Sequence, residues 1–296
     1  MNVIKVLIVI TVSVFGLSCN HQDRIIPDVS DFASIQLDTV QLQLNKLIEE
    51  TSGLVKIDST FWTHNDSGGQ PALYQFDPVT GEIERTVYVN QAKNVDWEDL
   101  THDDQYVYVG NFGNNFGNRK NLGIYKVSIE SMMTNDQVDA ELITFSYPDQ
   151  EKFYSGYNHN HDCESMIAYG DSLYLFSKNW KDKQTKLYSL PKSPGDYSAK
   201  LLSSYDVRGT LTGATLSDSL DRLFLLGYNA GDGFDPFVWT ISDWLGTDFL
   251  SGDKERVNIL NRRQTEGILM SDDETLYISA EHEGGGYPIL LQMKVQ

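Results

Sequence analysis

Cysteine is almost absent from this 296-residue chain, which contains only Cys19 and Cys163. Cys19 ends an N-terminal apolar stretch, so Cys163 is the one cysteine expected within a folded domain. An intramolecular disulfide is therefore excluded there, and stability must come from the packing of a core, for which the chain is long enough.

Basic residues are also scarce, because 23 Lys and Arg stand against 42 Asp and Glu and the net charge is −19. Nucleic acids and anionic membrane surfaces are bound through clusters of positive charge, so neither is expected as a partner. Bound cations are compatible with this acidity. P-loop, dinucleotide-binding, HExxH and GxSxG motifs are missing from the sequence, so nucleotide-binding and zinc-protease functions have no support.

One long apolar run is present, within MNVIKVLIVITVSVFGLSCN at the N-terminus. A lysine, an apolar stretch and a small residue before Cys19 are typical of a secretory signal peptide. The end resembles a bacterial lipoprotein signal, although Leu17 lies two rather than three places before the cysteine. We expect residues 1–18 to be cleaved, Cys19 to be lipidated and residues 19–33 to tether the protein to the cell envelope at the outer membrane. Without lipidation, the protein would be soluble and secreted.

Residues 34–296 contain five related segments. Each opens with a polar or acidic residue, a small or polar residue and an apolar residue: SGLVKID from Ser52, EDLTHDD from Glu98, ESMIAYG from Glu164, TGATLSD from Thr212 and EGILMSD from Glu266. Repeats of about 40 to 50 residues are typical of propeller blades. The longer second interval contains YPDQEKFYSGYNHNHD, which we interpret as an extended loop.

Strand patterns follow each opening. An aromatic-rich run comes first, then a loop rich in Gly and Asn, then a further strand, and four segments continue into a fourth strand. The fifth segment ends at Gln296 before its fourth strand, whereas ASIQLDTVQLQL from Ala33 alternates like a strand and precedes the first segment. The sequence therefore predicts an all-β, five-bladed β-propeller closed by an N-terminal strand. Six blades would need a further segment, which we do not find.

The opening residues should converge on the propeller axis, because the first strand of each blade lines the central channel. Three are the glutamates Glu98, Glu164 and Glu266, and two are the hydroxyl residues Ser52 and Thr212. Converging carboxylates repel one another unless a cation or hydrogen bonds offset the repulsion, and Ca²⁺ takes about six to eight oxygen ligands. We predict that the three glutamates bind Ca²⁺. The alternative is that they bond backbone N–H groups and close the channel without a metal.

The loops between the second and third strands of each blade should lie on the same face as these openings. They carry Asn or His together with charged or aromatic residues, a composition common in ligand sites. The predicted ligand-binding residues are His64, Asn65, Asp66, Asn111, Lys178, Asn179, Tyr228, Asn229, Glu281 and His282. The alternative is that Asn, Asp and Gly only supply the conformations of the turns.

Two other features are weaker candidates for sites. Cys163 is interpreted as a buried small side chain rather than a nucleophile, because no base is positioned for it by the sequence. His159, His161 and Asp162 have the donor types for a transition metal, but two alternating histidines in a loop are weak evidence for such a site.

Three segments carry a resemblance to known proteins. SGLVKIDSTFWTHNDSGG, NVDWEDLTHDDQYVYVGNFGNN and DCESMIAYGDSLYLFSKN resemble uncharacterised bacterial β-propeller lipoproteins. They are similar, more distantly, to the calcium-associated propellers grouped with SdiA-regulated proteins and esterase-like phytases, whose blades open with an Asp/Glu-Gly-apolar signature. TEGIL fits that signature, WEDL and CESM replace its glycine, and LTGAT lacks its acid. The resemblance implies calcium, but these departures do not support a phytase activity.

The sequence thus favours a non-enzymatic, calcium-stabilised, lipid-anchored propeller that binds a small-molecule or protein ligand at its channel face. The alternative is a hydrolase. In a glycosidase two of the glutamates would act as acid and base, and in a phosphoesterase calcium would neutralise the phosphate while His64 or His282 moved protons. A third possibility is a scaffold that binds an envelope protein through its blade edges. We assign no catalytic residue.

Overall fold

The computed structural model describes residues 33–35, 42–153, 155–217, 219, 221–231, 233–272, 274–282 and 286–295. The predicted signal peptide, the lipidation site Cys19 and residues 19–32 of the predicted tether lie outside these ranges. Within them, no helix has the length and apolarity needed to span a membrane.

The described chain is almost entirely β-strand. The N-terminal part contributes β1 (Ala33–Ile35) and β2 (Leu42–Gln43). The first blade contains β3 (Thr51–Ile57), β4 (Thr60–Asn65), β5 (Ala72–Phe76) and β6 (Ile83–Val89). The second segment gives β7 (Asp99–His102), β8 (Tyr106–Asn111), β9 (Leu122–Ser128), β10 (Gln137–Val138) and β11 (Ala140–Ser146).

The remaining three segments follow the same plan. The third gives β12 (Asp162–Tyr169), β13 (Ser172–Lys178), β14 (Thr185–Pro191), β15 (Gly195–Ser198) and β16 (Lys200–Tyr205). The fourth gives β17 (Thr210–Leu216), β18 (Arg222–Gly231), β19 (Gly233–Ser242) and β20 (Asp253–Ile259). The fifth gives β21 (Thr265–Asp272), β22 (Thr275–Ala280) and β23 (Ile289–Lys294). The short helices are α1 (Ile129–Thr134) and the 3₁₀ turns Lys46–Ile48 and Phe249–Ser251.

The first strands of the five segments form a closed ring. Strand β3 contacts β7, β7 contacts β12, β12 contacts β17, β17 contacts β21, and β21 returns to β3. In every sheet the following strands of the segment pair outward from this ring. The predicted five-bladed β-propeller is therefore confirmed.

The N-terminal part closes the propeller as predicted. Strand β2 pairs antiparallel with β23, with Leu42 opposite Leu290, and so supplies the fourth strand of the fifth blade. The residues at the start of the predicted strand do not belong to the fifth blade. They form β1, which pairs in parallel with β20 at the edge of the fourth blade. Strands β10 and β15 likewise pair in parallel with β6 and β11. These added strands cover outer edges whose backbone groups would otherwise be unpaired.

The core is divided among the interfaces between neighbouring blades. Between the first and second blades, Trp62, Trp97, Leu100 and Val109 belong to one buried cluster. Innermost strands approach so closely that a Cβ on Gly53 would lie 2.3 Å from the Leu100 backbone nitrogen. The core therefore fixes the spacing of the first strands around the channel.

Candidate cation and ligand site

All five first strands begin at one mouth of the channel, where the loops between second and third strands also lie. Register shows this directly, because Thr51 pairs with Asn65, Asp162 with Lys178 and Thr265 with Ala280. The predicted loop residues and the predicted glutamates thus share one face of the propeller.

Most of the opening residues lie at β-bulges. In the third, fourth and fifth blades the pairing of the first and second strands skips a residue, and the skipped residues are Glu164, Thr212 and Glu266. A bulge leaves one residue outside the regular ladder and redirects its side chain. The repeated signature in the sequence is therefore the signature of a bulge at the channel mouth.

Three carboxylates meet between the first and second blades. Asp66 follows β4, and Asp96 and Glu98 precede β7, and each offers an oxygen that lies within 4.8 Å of the others. We call these three residues the acidic centre. Gly113 lies against it, since a Cβ there would be 1.8 Å from Glu98 Oε1 and 2.5 Å from Asp96 Oδ2.

Several polar atoms at this place have no hydrogen-bond partner within the described part of the chain. They are Glu98 Oε1, Asp66 Oδ1, Asn65 Oδ1 and His64 Nε2, all buried. Glu98 as a whole is only 3% exposed. A buried polar group without a partner costs about 1–3 kcal/mol, and more when it is charged. Three of these atoms are oxygens, the type of ligand that a hard cation requires.

The pKa values of the acidic centre are all raised. Burial, followed by the carboxylates of Asp96 and Glu266, raises the pKa of Asp66 to about 8. Burial and Asp162 raise the pKa of Asp96 to about 6, against the effect of Arg119. Burial, Glu164 and Asp66 raise the pKa of Glu98 well above its ordinary value. The three groups therefore resist being ionised together at neutral pH.

The other two predicted calcium ligands have partners of their own. Glu164 Oε2 accepts a hydrogen bond from Lys178 Nζ, and both side chains are 4% exposed. Gln264 Nε2 donates to Glu266 Oε1 over 2.8 Å. Of the three glutamates, the structure brings only Glu98 into the acidic centre.

Lys178 is the basic side chain in the middle of the mouth. Its Nζ also donates to Tyr228 Oη over 3.2 Å. Burial opposes its charged form, but surrounding carboxylates, Glu164 first, raise the pKa of Lys178 well above its ordinary value. Burial and Glu266 raise the pKa of Glu164, while Lys178 lowers it. This lysine therefore stays charged and is unsuited to act as a base.

The remaining predicted ligand residues divide into two groups. Asn111, Asn179 and Asn229 support loops: Asn111 Oδ1 accepts from Asp96 N and Asn179 Nδ2 donates to Asp182. The Asn229 side-chain amide, in the orientation that gives both its nitrogen and its oxygen a hydrogen-bond partner, donates to Arg208 O over 2.7 Å.

His64, Glu281 and His282 form the second group. His64 is buried and its pKa falls to about 4 through desolvation, so it is neutral. Its Nδ1 lies 2.9 Å from Asn65 O and donates to that carbonyl, which leaves a lone pair on Nε2. Burial and Glu266 raise the pKa of Glu281 to about 9, and His282 Nδ1 lies 3.2 Å from Glu49 O.

Two residues of the site were missed by the sequence reasoning. Asp96 belongs to the acidic centre, and Arg119 Nη1 lies 3.8 Å from Asp96 Oδ2 while donating to Gly113 O. Asp96 was missed although it stands two residues before Glu98, because it lies at a bend outside the strand, where alternation does not fix the side of a residue. Arg119 lies in the loop between β8 and β9, which was predicted to border the ligand site, but no repeat marks its position within that loop.

The features judged weak in the sequence do not form sites of their own. Cys163 is buried, and burial raises its thiol pKa above the ordinary range. His159 Nε2 lies 3.0 Å from Asn115 O, and His161 Nε2 lies 3.6 Å from Asp149. Asp162 accepts from Asn114 N and Trp180 Nε1 instead.

A cavity of about 570 Å³ opens at the opposite mouth of the channel, and the sequence did not point to it. Both lysines that line it have partners, since Lys56 Nζ donates to Ser271 O and Lys192 contacts Asp103 at 2.9 Å. The buried carboxylate oxygens that have no partner among the described residues, Glu98 Oε1 and Asp66 Oδ1, lie instead at the acidic centre. We therefore place the chemistry at the acidic mouth.

No protein-family model and no curated protein matches the sequence. Among solved structures, an exo-β-1,3-galactanase from Phanerochaete chrysosporium aligns over 89% of this chain and 63% of its own, with 9% identity and a TM-score of 0.52. A putative glucose dehydrogenase from Thermus thermophilus aligns over 86% and 99%, with 8% identity and a TM-score of 0.47. A quinoprotein alcohol dehydrogenase-like protein from Bacteroides thetaiotaomicron covers 78% and 49%, with 13% identity and a TM-score of 0.37.

These likenesses concern the fold alone, because every identity is far below the level at which function is shared. The chain also spans less than two thirds of the galactanase. The resemblance to propeller lipoproteins and SdiA-regulated proteins has no support at the sequence level from these comparisons and stays a prediction. What they add is that this chain is similar in fold to distant β-propeller enzymes.

Proposed function

We propose that this propeller binds Ca²⁺ at the acidic centre and uses the ion to hold an oxygen-bearing ligand at the channel mouth. The observation that carries the proposal is that carboxylate oxygens of Asp66, Asp96 and Glu98 lie within 4.8 Å of one another, while Glu98 Oε1 is buried and has no hydrogen-bond partner among the described residues. Removing such an oxygen from water is costly unless a cation or donor replaces the lost hydration. A divalent cation would satisfy Glu98 and Asp66 at once.

Calcium fits the ligand atoms of this site better than zinc does. Asp66, Asp96 and Glu98 supply carboxylates, and the unpartnered Asn65 Oδ1 is an amide oxygen nearby in sequence. Zinc favours nitrogen and sulfur ligands in closed tetrahedra, whereas Ca²⁺ accepts oxygen ligands in flexible geometry and leaves positions for water or ligand. The ion would join the loop after β4 to the start of β7 and so connect two blades.

The N-terminal sequence supports a proposal for the location of this activity. We propose that the signal peptide exports the chain and that Cys19 anchors it by a lipid to the cell envelope, at the outer membrane. Millimolar calcium outside the cytoplasm would suit a site of modest affinity.

The direct test is a calcium titration of the mature protein after treatment with chelator. We expect calorimetry to show one calcium per chain, and thermal unfolding to shift upward with calcium but much less with magnesium. At a calcium concentration about 100-fold above Kd, the stabilisation is about 2.7 kcal/mol. Absence of both binding heat and a thermal shift would remove the calcium centre.

A hydrolase is the second candidate, favoured by carboxyl groups with raised pKa values at the same mouth. A carboxyl that stays protonated at neutral pH can act as a general acid, as in glycoside hydrolysis, and burial raises the pKa of Glu266. The galactanase similar in fold is itself a glycosidase. Aryl glycosides and phosphate esters should be screened with wild type and Glu266→Gln. Turnover abolished by that variant would support the hydrolase, and no turnover on either class would count against it.

A further inference from the structure

Three aromatic rings form a connected row at the acidic mouth. Phe116 lies in the loop between β8 and β9, Tyr157 in the long loop before β12, and Trp180 in the loop after β13. Ring centroids are 5.2 Å apart for Phe116 and Tyr157, and 5.1 Å apart for Tyr157 and Trp180. We call these three residues the aromatic rim.

The rim is continuous with the charged mouth. Trp180 Nε1 donates to Asp162 Oδ2 over 2.8 Å, and Asp162 is fully buried. Lys178 Nζ, which bonds Glu164, lies 5.0 Å from the centroid of the Trp180 ring. The rim therefore directly contacts two side chains of the mouth, Asp162 and Lys178.

The outer two rings of the rim are left open to solvent. Phe116 is 49% exposed and Tyr157 is 54% exposed, although each contacts another ring. Large aromatic groups contribute most when they are buried, so rings held together but uncovered indicate a contact surface. Their place beside the mouth assigns that surface to the same ligand.

The charges around the rim select the kind of ligand. Ammonium groups of Lys178 and Lys183 lie 5.0 and 5.1 Å from the centroid of Trp180, so an organic cation would meet two like charges there. An organic anion would meet the carboxylate of Asp162, which accepts from Trp180 Nε1, and the carboxylate of Glu164, which is bonded to Lys178. A neutral ligand that combines many hydroxyl groups with an apolar ring face avoids both repulsions.

We propose that the ligand is a carbohydrate, with one sugar ring stacked on Phe116 and Tyr157 and its neighbour bound through hydroxyl oxygens at the mouth. This inference rests on the proposed function, since calcium would coordinate the hydroxyls. C–H groups on one face of a pyranose pack on aromatic rings, while the hydroxyls around the edge hydrogen-bond to carboxylates and amides.

The test is a calorimetric titration of calcium-loaded protein with neutral trisaccharides of defined composition. The probes are β-1,3-galactotriose, β-1,4-glucotriose, β-1,4-xylotriose, β-1,4-mannotriose and chitotriose. Wild type is compared with the double variant Phe116→Ala/Tyr157→Ala and with Tyr88→Ala. Tyr88 is an exposed tyrosine, 44% accessible, on the outer strand β6 of the first blade, and serves as the matched control.

We expect at least one probe to bind wild type and Tyr88→Ala equally and to bind the double variant about tenfold more weakly. Calcium affinity and thermal stability should be the same in all three proteins. Failure of every probe at millimolar concentration, or binding unchanged in the double variant, would overturn the carbohydrate assignment.

The same titrations separate this inference from the calcium proposal. If calcium binds and no sugar does, the rim assignment fails and the calcium centre stands. If a sugar binds without calcium and loses affinity in the double variant, the rim assignment stands and the role given to calcium is wrong.

Discussion

Replacing Glu98 by glutamine changes the charge of the acidic centre with little change in shape. Glu98 is 3% exposed, its Oε1 has no hydrogen-bond partner among the described residues, and one of its carboxylate oxygens lies within 4.8 Å of carboxylate oxygens of Asp66 and Asp96. The variant should therefore act in opposite directions on calcium binding and on the metal-free protein. Such a reversal is difficult to obtain from a residue with a purely structural role.

The effect on calcium affinity follows from the lost charge. Two unit charges about 4 Å apart interact by about 4 kcal/mol at an effective dielectric of about 20, and a divalent ion in direct contact gains more before the cost of dehydration. If about 3 kcal/mol of this attraction remains after the cost of dehydration, its loss in Glu98→Gln lowers the calcium affinity by roughly 100-fold. Calorimetry of Glu98→Gln against wild type measures it directly.

The effect on the metal-free protein has the opposite sign. Burial raises the pKa of Glu98 in the folded state well above that of the unfolded chain, so folding takes up a proton and stability falls as pH rises through this interval. Glutamine has no proton to lose. In chelator at pH 8, Glu98→Gln should be more stable than wild type by about 1–3 kcal/mol, since a tenfold change in proton affinity corresponds to about 1.4 kcal/mol.

Urea unfolding in chelator at pH 5 and pH 8 tests this sign, and Glu255→Gln is the control because Glu255 is an exposed residue of β20. The control should leave calcium affinity and stability unchanged. If Glu98→Gln binds calcium as wild type does, or destabilises the metal-free protein at pH 8, the reasoning about the acidic centre is refuted.

Three other outcomes are expected. In chelator the free energy of unfolding of wild type should fall between pH 5 and pH 9. Burial raises the pKa of Asp66 in the folded state to about 8, so the stability contributed by its protonated form is lost as pH rises. Urea unfolding at each pH measures this, and excess calcium should flatten or reverse the trend. Lys178→Met should lower the free energy of unfolding by about 3–5 kcal/mol, because it leaves the buried carboxylate of Glu164 unpaired. In a double-mutant cycle, adding Glu164→Gln should recover most of this loss. An equal loss of stability in the single and double variants would show that the ion pair is not the cause. Gly113→Ala should abolish calcium binding in the calorimetric titration, since the added methyl group would lie 1.8 Å from an oxygen of the acidic centre. The control is Gly69→Ala, whose added methyl group would have its nearest atoms at 3.7 Å, and this variant should bind calcium as wild type does.

The fold was predictable because its information is local and repeated. Alternation along each strand fixes which side is buried, and five copies of one pattern with a spare strand at the N-terminus leave few topologies. The parallel pairing of β1 with β20 was not predictable, because a three-residue strand at an outer edge has no periodicity of its own.

The site was predictable in place but not in its contacts. The repeat placed Glu98, Glu164 and Glu266 at one mouth, yet the bulges at Glu164 and Glu266 direct each side chain individually. Whether a carboxylate meets a lysine, a glutamine or another carboxylate depends on loops that do not repeat. Asp96 and Arg119 come from such irregular parts of the chain.

The fourth blade shows that the fold does not require acids at the channel mouth. Thr212 occupies the bulge equivalent to Glu164 and Glu266, and its hydroxyl donates to Thr265 O over 2.7 Å in a fully buried position. A neutral side chain therefore completes this position with a partner of its own. Glutamates at the equivalent places carry a cost of desolvation and mutual repulsion that a threonine avoids. Because the architecture can be built without that cost, the carboxylates at this mouth support the proposal of a ligand that needs them.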